Sequence, residues 1–230
     1  MKLNGGIEFF ENGMRTNIRA MHLQTEIMGI LSSNFNGFDK VGYQRKDPVI
    51  SSFSEYIGVH GLSTAIDDKV GRIINTKNPL DFAIVNKGYF QHSSPEGVKI
   101  TRDGRFKLDR EGYLQTLEGA NVLSSAGAPI KMPWTPEKLE DIKVNNKGEI
   151  GLFNKLTGHF DYVATISVVT DRGIAVIEPD IKQGYNEHAN VSLSTEIMEV
   201  IPVRRNFEAN RIMFVLQNNQ LGKAISELSK

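Results

Sequence analysis

The chain contains no cysteine, which excludes disulfides, thiolate metal sites and a cysteine nucleophile. It also lacks an excess of charge of either sign. Its 27 basic and 27 acidic residues cancel, so no bulk electrostatic attraction draws it to nucleic acid or to an anionic membrane. No stretch approaches the roughly 18 consecutive apolar residues of a membrane span. The opening Met1-Lys2-Leu3-Asn4-Gly5-Gly6 lacks the unbroken apolar segment of a secretory signal. Membrane insertion is therefore not expected, and export would need a route without a cleaved leader.

Signatures of catalysis are equally sparse. The histidines, His22, His60, His92, His159 and His188, are scattered without HExxH-like spacing, and no G-x-S-x-G, Walker loop or G-x-G-x-x-G occurs. Asp103, Asp109 and Glu111 offer oxygen atoms, but their spacing misses that of a calcium loop. The stretch Arg102-Asp103-Gly104 is expected to be a hairpin turn with a surface ion pair. An enzymatic reading has no nucleophile, base or cofactor loop, and neither enzyme activity nor a cofactor or metal is expected.

What the chain does have is helical periodicity at both ends. Leu193, Val200, Phe207, Phe214, Leu221 and Leu228 recur every seventh position along the tail, with Ile197 and Ile225 nearby, and Ile7, Met14, Met21 and Met28 form a similar series at the start, flanked by Phe10, Ile18 and Leu31. The spacing predicts helices over about 6–33 and 192–229. Pro202 removes a backbone donor from the second, so that helix should either kink there or begin near it. A helix with one apolar stripe cannot bury that stripe alone, so these residues are expected to form an assembly interface, with the other terminus, with neighbouring chains or with both. The unbranched methionines suit adaptable packing.

Between the ends the signals change. Residues 36–65 are rich in Ser, Asn, Gly and Asp and read as an extended or short-strand connector. From about residue 66 to 189, short apolar runs alternate with turn residues, as in Phe82-Ala83-Ile84-Val85 before Asn86-Lys87-Gly88. Asp103-Gly104, Lys147-Gly148 and Arg172-Gly173 supply hairpin-turn chemistry. The expectation is an α+β chain in which a mainly antiparallel β domain is flanked by long terminal helices that pair as a coiled-coil-like stalk, residues 1–35 with 190–230.

Particular residues add a family resemblance. Thr76-Lys77-Asn78-Pro79-Leu80-Asp81-Phe82-Ala83-Ile84, with Gly88-Tyr89-Phe90-Gln91 behind it, resembles the T-x-N-P-L-D-x-A-I…G-F-F motif of the bacterial flagellar rod and hook proteins. Thr101-Arg102-Asp103-Gly104-Arg105-Phe106 resembles that family's T-R-D-G-x-F, and Gln183-Gly184-Tyr185, Asn190-Val191 and Arg204-Arg205-Asn206-Phe207-Glu208-Ala209-Asn210 resemble its C-terminal patterns. After the first helix, Asn34, Asn36, Gly42 and Tyr43 keep part of an N-N-L-A-N-x-x-T-x-G-[YF]-K signature from which the surrounding residues depart.

The resemblance implies a structural subunit of the flagellar basal-body rod, exported through the flagellar type III apparatus and assembled in the periplasm. Its implied partners are copies of itself, other rod and hook proteins and ring proteins around the rod. Head-to-tail contacts that do not close would build a torque-bearing helical tube. A hook or hook-junction subunit is the alternative within the family. Outside it stand an oligomeric periplasmic or secreted binding module and, behind that, a metal-dependent hydrolase.

Overall fold

The computed structural model describes residues 3–51 and 61–228, and side chains from 13 to 227 within that span. Two helices bracket the chain, α1 (Leu3–Gly37) and α2 (Leu193–Leu228). Between them lie fourteen described strands, β1 (Lys46–Ile50), β2 (Leu62–Ile66), β3 (Ile73–Asn75), β4 (Phe82–Ile84), β5 (Tyr89–Ser94), β6 (Gly97–Thr101), β7 (Phe106–Leu108), β8 (Leu114–Thr116), β9 (Ile142–Val144), β10 (Glu149–Asn154), β11 (His159–Thr165), β12 (Val168–Val169), β13 (Ile181–Gln183) and β14 (Tyr185–Glu187). Every strand pairing among them is antiparallel, so the chain is an α+β protein.

The chain divides into two compact units. The first comprises residues 1–36, 46–66 and 191–230, and the second residues 37–45 and 67–190.

In the first unit, β1 and β2 pair from Lys46 opposite Ile66 to Ile50 opposite Leu62, within the stretch expected as connector. The helices of this unit touch at residues that run in opposite directions along the chain. The Asn17 amide donates to Gln217 Oε1 at 2.9 Å, that of Asn210 to Gln24 Oε1 at 3.3 Å, and that of Asn34 to Glu196 Oε2 at 3.0 Å. Ile27, Leu31 and Val191 are buried with Asn34 and Glu196. Asn34 also brackets Lys46, donating to its carbonyl at 2.8 Å and accepting from its N–H at 2.9 Å. One amide thus ties α1, β1 and α2 together. α2 opens on Ser192, whose carbonyl accepts the Glu196 N–H, and Glu196 places an acid in the first turn, where unpaired N–H groups favour it. Pro202 neither starts nor ends this helix, which runs through it.

The second unit holds a core of Leu80, Phe82, Ile84, Phe90, Phe106, Leu114, Val122, Ile130, Met132, Ile142, Ile150, Leu152, Ile166, Val168 and Ile181. Phe90 meets the Phe106 ring edge-on at a centroid distance of 5.3 Å, with Phe82 5.8 Å from Phe106, an arrangement the ring quadrupoles favour. β10 pairs with both β9 and β11, and the Lys147-Gly148 turn joins β9 to β10 as the sequence suggested. The segment after β2 is closed by strands far away in the chain, β3 by β14 and β4 by β13.

The Asp103-Gly104 turn is not a hairpin. β6 pairs with β5 and β7 with β8, and β6 does not pair with β7. Side chains turn the chain instead, the Asp103 N–H donating to Thr101 Oγ1 at 3.0 Å and the Arg105 N–H to Asp103 Oδ1 at 3.0 Å, an Asx-type turn. Gly104 then passes so close to Phe82 that a Cβ would lie 1.8 Å from the Phe82 carbonyl oxygen. Gly104→Ala must therefore push two backbones apart. It is expected to destabilise the protein by about 2 to 3 kcal/mol, read as a lowered urea midpoint with an unchanged slope.

Candidate assembly interface

Several family-motif residues of the second unit hold its own backbone together. The Asn78 Oδ1 accepts the Leu80 N–H at 3.3 Å and its amide donates to Asp81 Oδ1 at 2.8 Å, while the Asn186 amide donates to Asp81 Oδ2 at 3.0 Å. The Asp81 carbonyl accepts the Gly184 N–H at 2.7 Å, and the Pro79 carbonyl accepts from the Gln183 amide at 2.8 Å. Two motifs a hundred residues apart therefore form one knot. Asn190 fastens a second, accepting the Arg45 N–H at 2.6 Å and donating to the carbonyls of Asp67 and Lys69 at 2.9 and 3.0 Å. Gly42 takes a positive φ of 70° where a Cβ would sit 2.3 Å from the Asp103 nitrogen, a place only glycine fills without strain.

Arg102 differs from its expectation. It is not at a surface pair but 3% exposed, and its Nε donates to Glu187 Oε2 at 2.6 Å. Its other nitrogens donate to the carbonyls of Ile84 at 2.9 Å, Gly88 at 2.8 Å and Asn86 at 3.2 Å. The second Glu187 oxygen accepts the Gly71 N–H at 2.9 Å. The planar fork of guanidinium matches this set of acceptors, which an ammonium could not reach. The surface ion pair belongs instead to Asp103 and Arg105, at 2.6 Å. Among the described residues the histidines do not gather, and no group of three or more His, Asp or Glu side chains is placed to hold a metal ion. His60 lies outside them.

The expected interface residues of the helices separate into two sets. Val200, Phe207, Phe214 and Leu221 are half-buried, as are Met14, Met21 and Met28, and Leu31 is fully buried. Leu193, Ile197, Ile225 and Ile18 are exposed. The side chains of Ile7, Phe10 and Leu228 lie outside the described residues. Gln24, Met28, Val203 and Phe207 line a shared cavity of about 230 Å³, which places the stripe of α2 beside α1.

α2 also carries a second apolar face. Ile197, Met198, Ile201, Ile212, Met213, Val215 and Leu216 are all exposed. At 100° per residue, Ile197, Ile201, Ile212 and Val215 fall within about 60° of arc, opposite the side occupied by Val203, Phe207, Asn210, Phe214, Gln217 and Leu221. Arg204 lies at the edge of this arc and Glu208 within it, and Arg211 holds the exposed Glu208 carboxyl below its ordinary range through a hydrogen bond. Arg205 is exposed as well. Sequence periodicity points to the inner stripe and takes in only Ile197 of the outer arc, although the i, i+4 spacing of Ile197 and Ile201 is there to be read. No described helix is long and apolar enough to cross a membrane, so this face is not a span.

Motif residues that tie one unit to itself, beside a long helix with apolar side chains on two sides, point to a structural protein. A family model described as the flagellar hook protein FlgE/F/G D1 domain matches residues 83–152. Over 81% of its length the chain is 31% identical to the flagellar basal-body rod protein FlgF of Mesorhizobium japonicum, covering 83% of that protein. It is 30% identical to FlgF of Rhizobium meliloti over 83% of this chain and 82% of that one, and 29% identical to the rod protein FlgG of Bacillus subtilis over 68% and 69%. The chain belongs to the family of flagellar basal-body rod proteins.

Proposed function

We propose that the chain is a structural subunit of the bacterial flagellar basal-body rod, joining copies of itself and related rod and hook subunits head to tail. Contacts between unlike surfaces that do not close generate a helical tube, and close-packed interfaces give such a tube the stiffness to carry torque. The observation that carries this reading is the outer apolar face of α2 in a chain whose relatives are named as rod proteins. The helices act as a coiled-coil-like stalk in which Val200, Phe207, Phe214 and Leu221 serve the intrachain pair. The exposed Leu193, Ile197 and Ile225 then serve neighbouring subunits. The subunit is passed by the flagellar type III export apparatus into the periplasmic part of the basal body, where ring proteins surround it.

A hook or hook-junction subunit is the second reading, favoured by the hook protein named in the matching family model. Deleting the gene and imaging basal bodies separates the two. A rod subunit leaves structures that stop short of the outer membrane, whereas a hook subunit leaves complete rods without hooks. Intact rods and hooks in the deletion strain defeat both.

A further inference from the structure

The inner seam of the helix pair is not uniformly apolar, and its polar members stand in matched layers. Asn17 meets Gln217 and Gln24 meets Asn210, so one seven-residue step along α1 corresponds to one seven-residue step back along α2. The same register sets Ala20 level with Phe214, Ile27 with Phe207 and Leu31 with Val203. The small Ala20 faces the large Phe214, apolar faces apolar in the other two layers, and polar faces polar in the amide layers. Gly13 continues the fit, since a Cβ there would lie 2.7 Å from the Gln217 amide nitrogen.

These four amides are half-buried, and a seam amide is best accommodated where its partner supplies another polar group, which makes it a device for choosing register and partner at some expense in stability. The arithmetic for α2 is specific. Two copies of α2 packed antiparallel with their seam layers aligned would set Val203 against Leu221, Phe207 against Gln217 and Asn210 against Phe214. Sliding one copy by a heptad sets Asn210 against Phe207 and Gln217 against Val200 in one direction, and against Leu221 and Phe214 in the other. In each arrangement both amides face hydrocarbon. Bringing Asn210 opposite Gln217 in that orientation instead sets Phe214 level with Met213, off the seam.

We propose that the layers Asn17/Gln217 and Gln24/Asn210 select α1 as the partner of the inner seam of α2, fix a single antiparallel register for that pair and exclude antiparallel pairing of α2 with α2 of another copy. With its inner seam on α1, α2 keeps its outer face for other contacts. The proposal concerns the chain in solution and stands whether or not the rod assignment does.

The test uses the absence of cysteine. Arg211→Cys introduces a sole thiol near the centre of any antiparallel α2 to α2 pairing, and a short bis-maleimide then reports interchain proximity in the full chain. With the natural seam, dimer formation should stay at the collisional level set by an exposed control such as Lys155→Cys. In the background Asn17→Leu, Gln24→Leu, Asn210→Leu, Gln217→Leu, the seam accepts many partners, and the dimer fraction should rise about tenfold with a matching rise in mass by light scattering. Should that variant precipitate, the single layer Asn17→Leu, Gln217→Leu is read in its place, with a smaller rise expected. A soluble leucine variant with the dimer fraction and mass of the natural seam overturns the proposal, as does strong Arg211→Cys dimer formation with the natural seam that persists when Ile201→Asp and Ile212→Asp are added to remove contacts through the outer face.

Discussion

Arg102→Met should lower the unfolding free energy by about 3 to 5 kcal/mol, the range for removing one partner of a buried ion pair. The substitution leaves the Glu187 carboxylate, 3% exposed, without its charged partner and with the neutral Gly71 N–H as its remaining donor. It also strips donors from the carbonyls of Ile84, Asn86 and Gly88, and unsatisfied buried acceptors carry their own desolvation penalty. Trp134 is the single tryptophan and lies in the same unit, so urea unfolding followed by its fluorescence reports the right transition. A loss below about 1 kcal/mol would mean the pair behaves like an exposed one and that water reaches Glu187.

A second substitution separates the charge from the geometry. Arg102→Met with Glu187→Leu removes both ions, and buried pairs replaced by hydrocarbon are often neutral or better. Here recovery should be partial, because three carbonyls remain without their donor whichever residue replaces glutamate. The difference between double and single variants measures what Arg102 does for Glu187, and the residue left over measures what it does for the loop between β4 and β5. The position has the character of a rivet between the strand ending at Glu187 and that loop.

The ends of the chain were legible because their periodicity is local. A seven-residue recurrence of Val200, Phe207, Phe214 and Leu221 needs only the helix itself to be read, and α2 appears where the recurrence lies. The antiparallel middle was legible for the same reason, each short apolar run being bounded by its own turn residues, as at β9 and β10. The order of motifs along the chain carried the family. What could not be read was pairing across distance. Nothing in Ile73-Ile74-Asn75 names Tyr185-Asn186-Glu187 as its partner, since closing so long a loop is decided by the whole core rather than by either segment. The Asp103-Gly104 turn misled because aspartate followed by glycine has two uses, and Thr101 and Arg105 captured the aspartate for a local turn. Of the seam of α1 only Leu31 stands out in the sequence, because much of the rest is written in Gly13, Asn17, Ala20 and Gln24, which a hydrophobic periodicity does not pick out. The methionine series that does stand out lies alongside it. Glu187 carried no signal at all, being one acid among many until the fold brings Arg102 to it.

Ile201→Asp combined with Ile212→Asp should abolish incorporation into the flagellum while leaving the subunit folded. Both side chains are about half exposed in the single chain, at 46% and 49%, so placing carboxylates there costs the isolated molecule little. In an assembly that covers this face, each isoleucine contributes roughly 1.5 to 3 kcal/mol of apolar burial, and a buried carboxylate without a partner adds a further penalty. A combined loss near 4 kcal/mol already lowers an association constant by about a thousandfold. Phe207→Asp makes the contrast. Its side chain lies in the seam beside Met28 and Val203, so the charge should loosen the helix pair first, with falling helical circular dichroism and intact Trp134 fluorescence from the second unit. Non-motile cells from both variants, with normal helix content only in the first, are the expected pattern. Normal swimming with Ile201→Asp and Ile212→Asp would remove the outer face of α2 from the assembly. The contacts between subunits would then have to come from the β-rich unit, whose exposed Phe160, Tyr162 and Ile177 are the next apolar side chains to substitute.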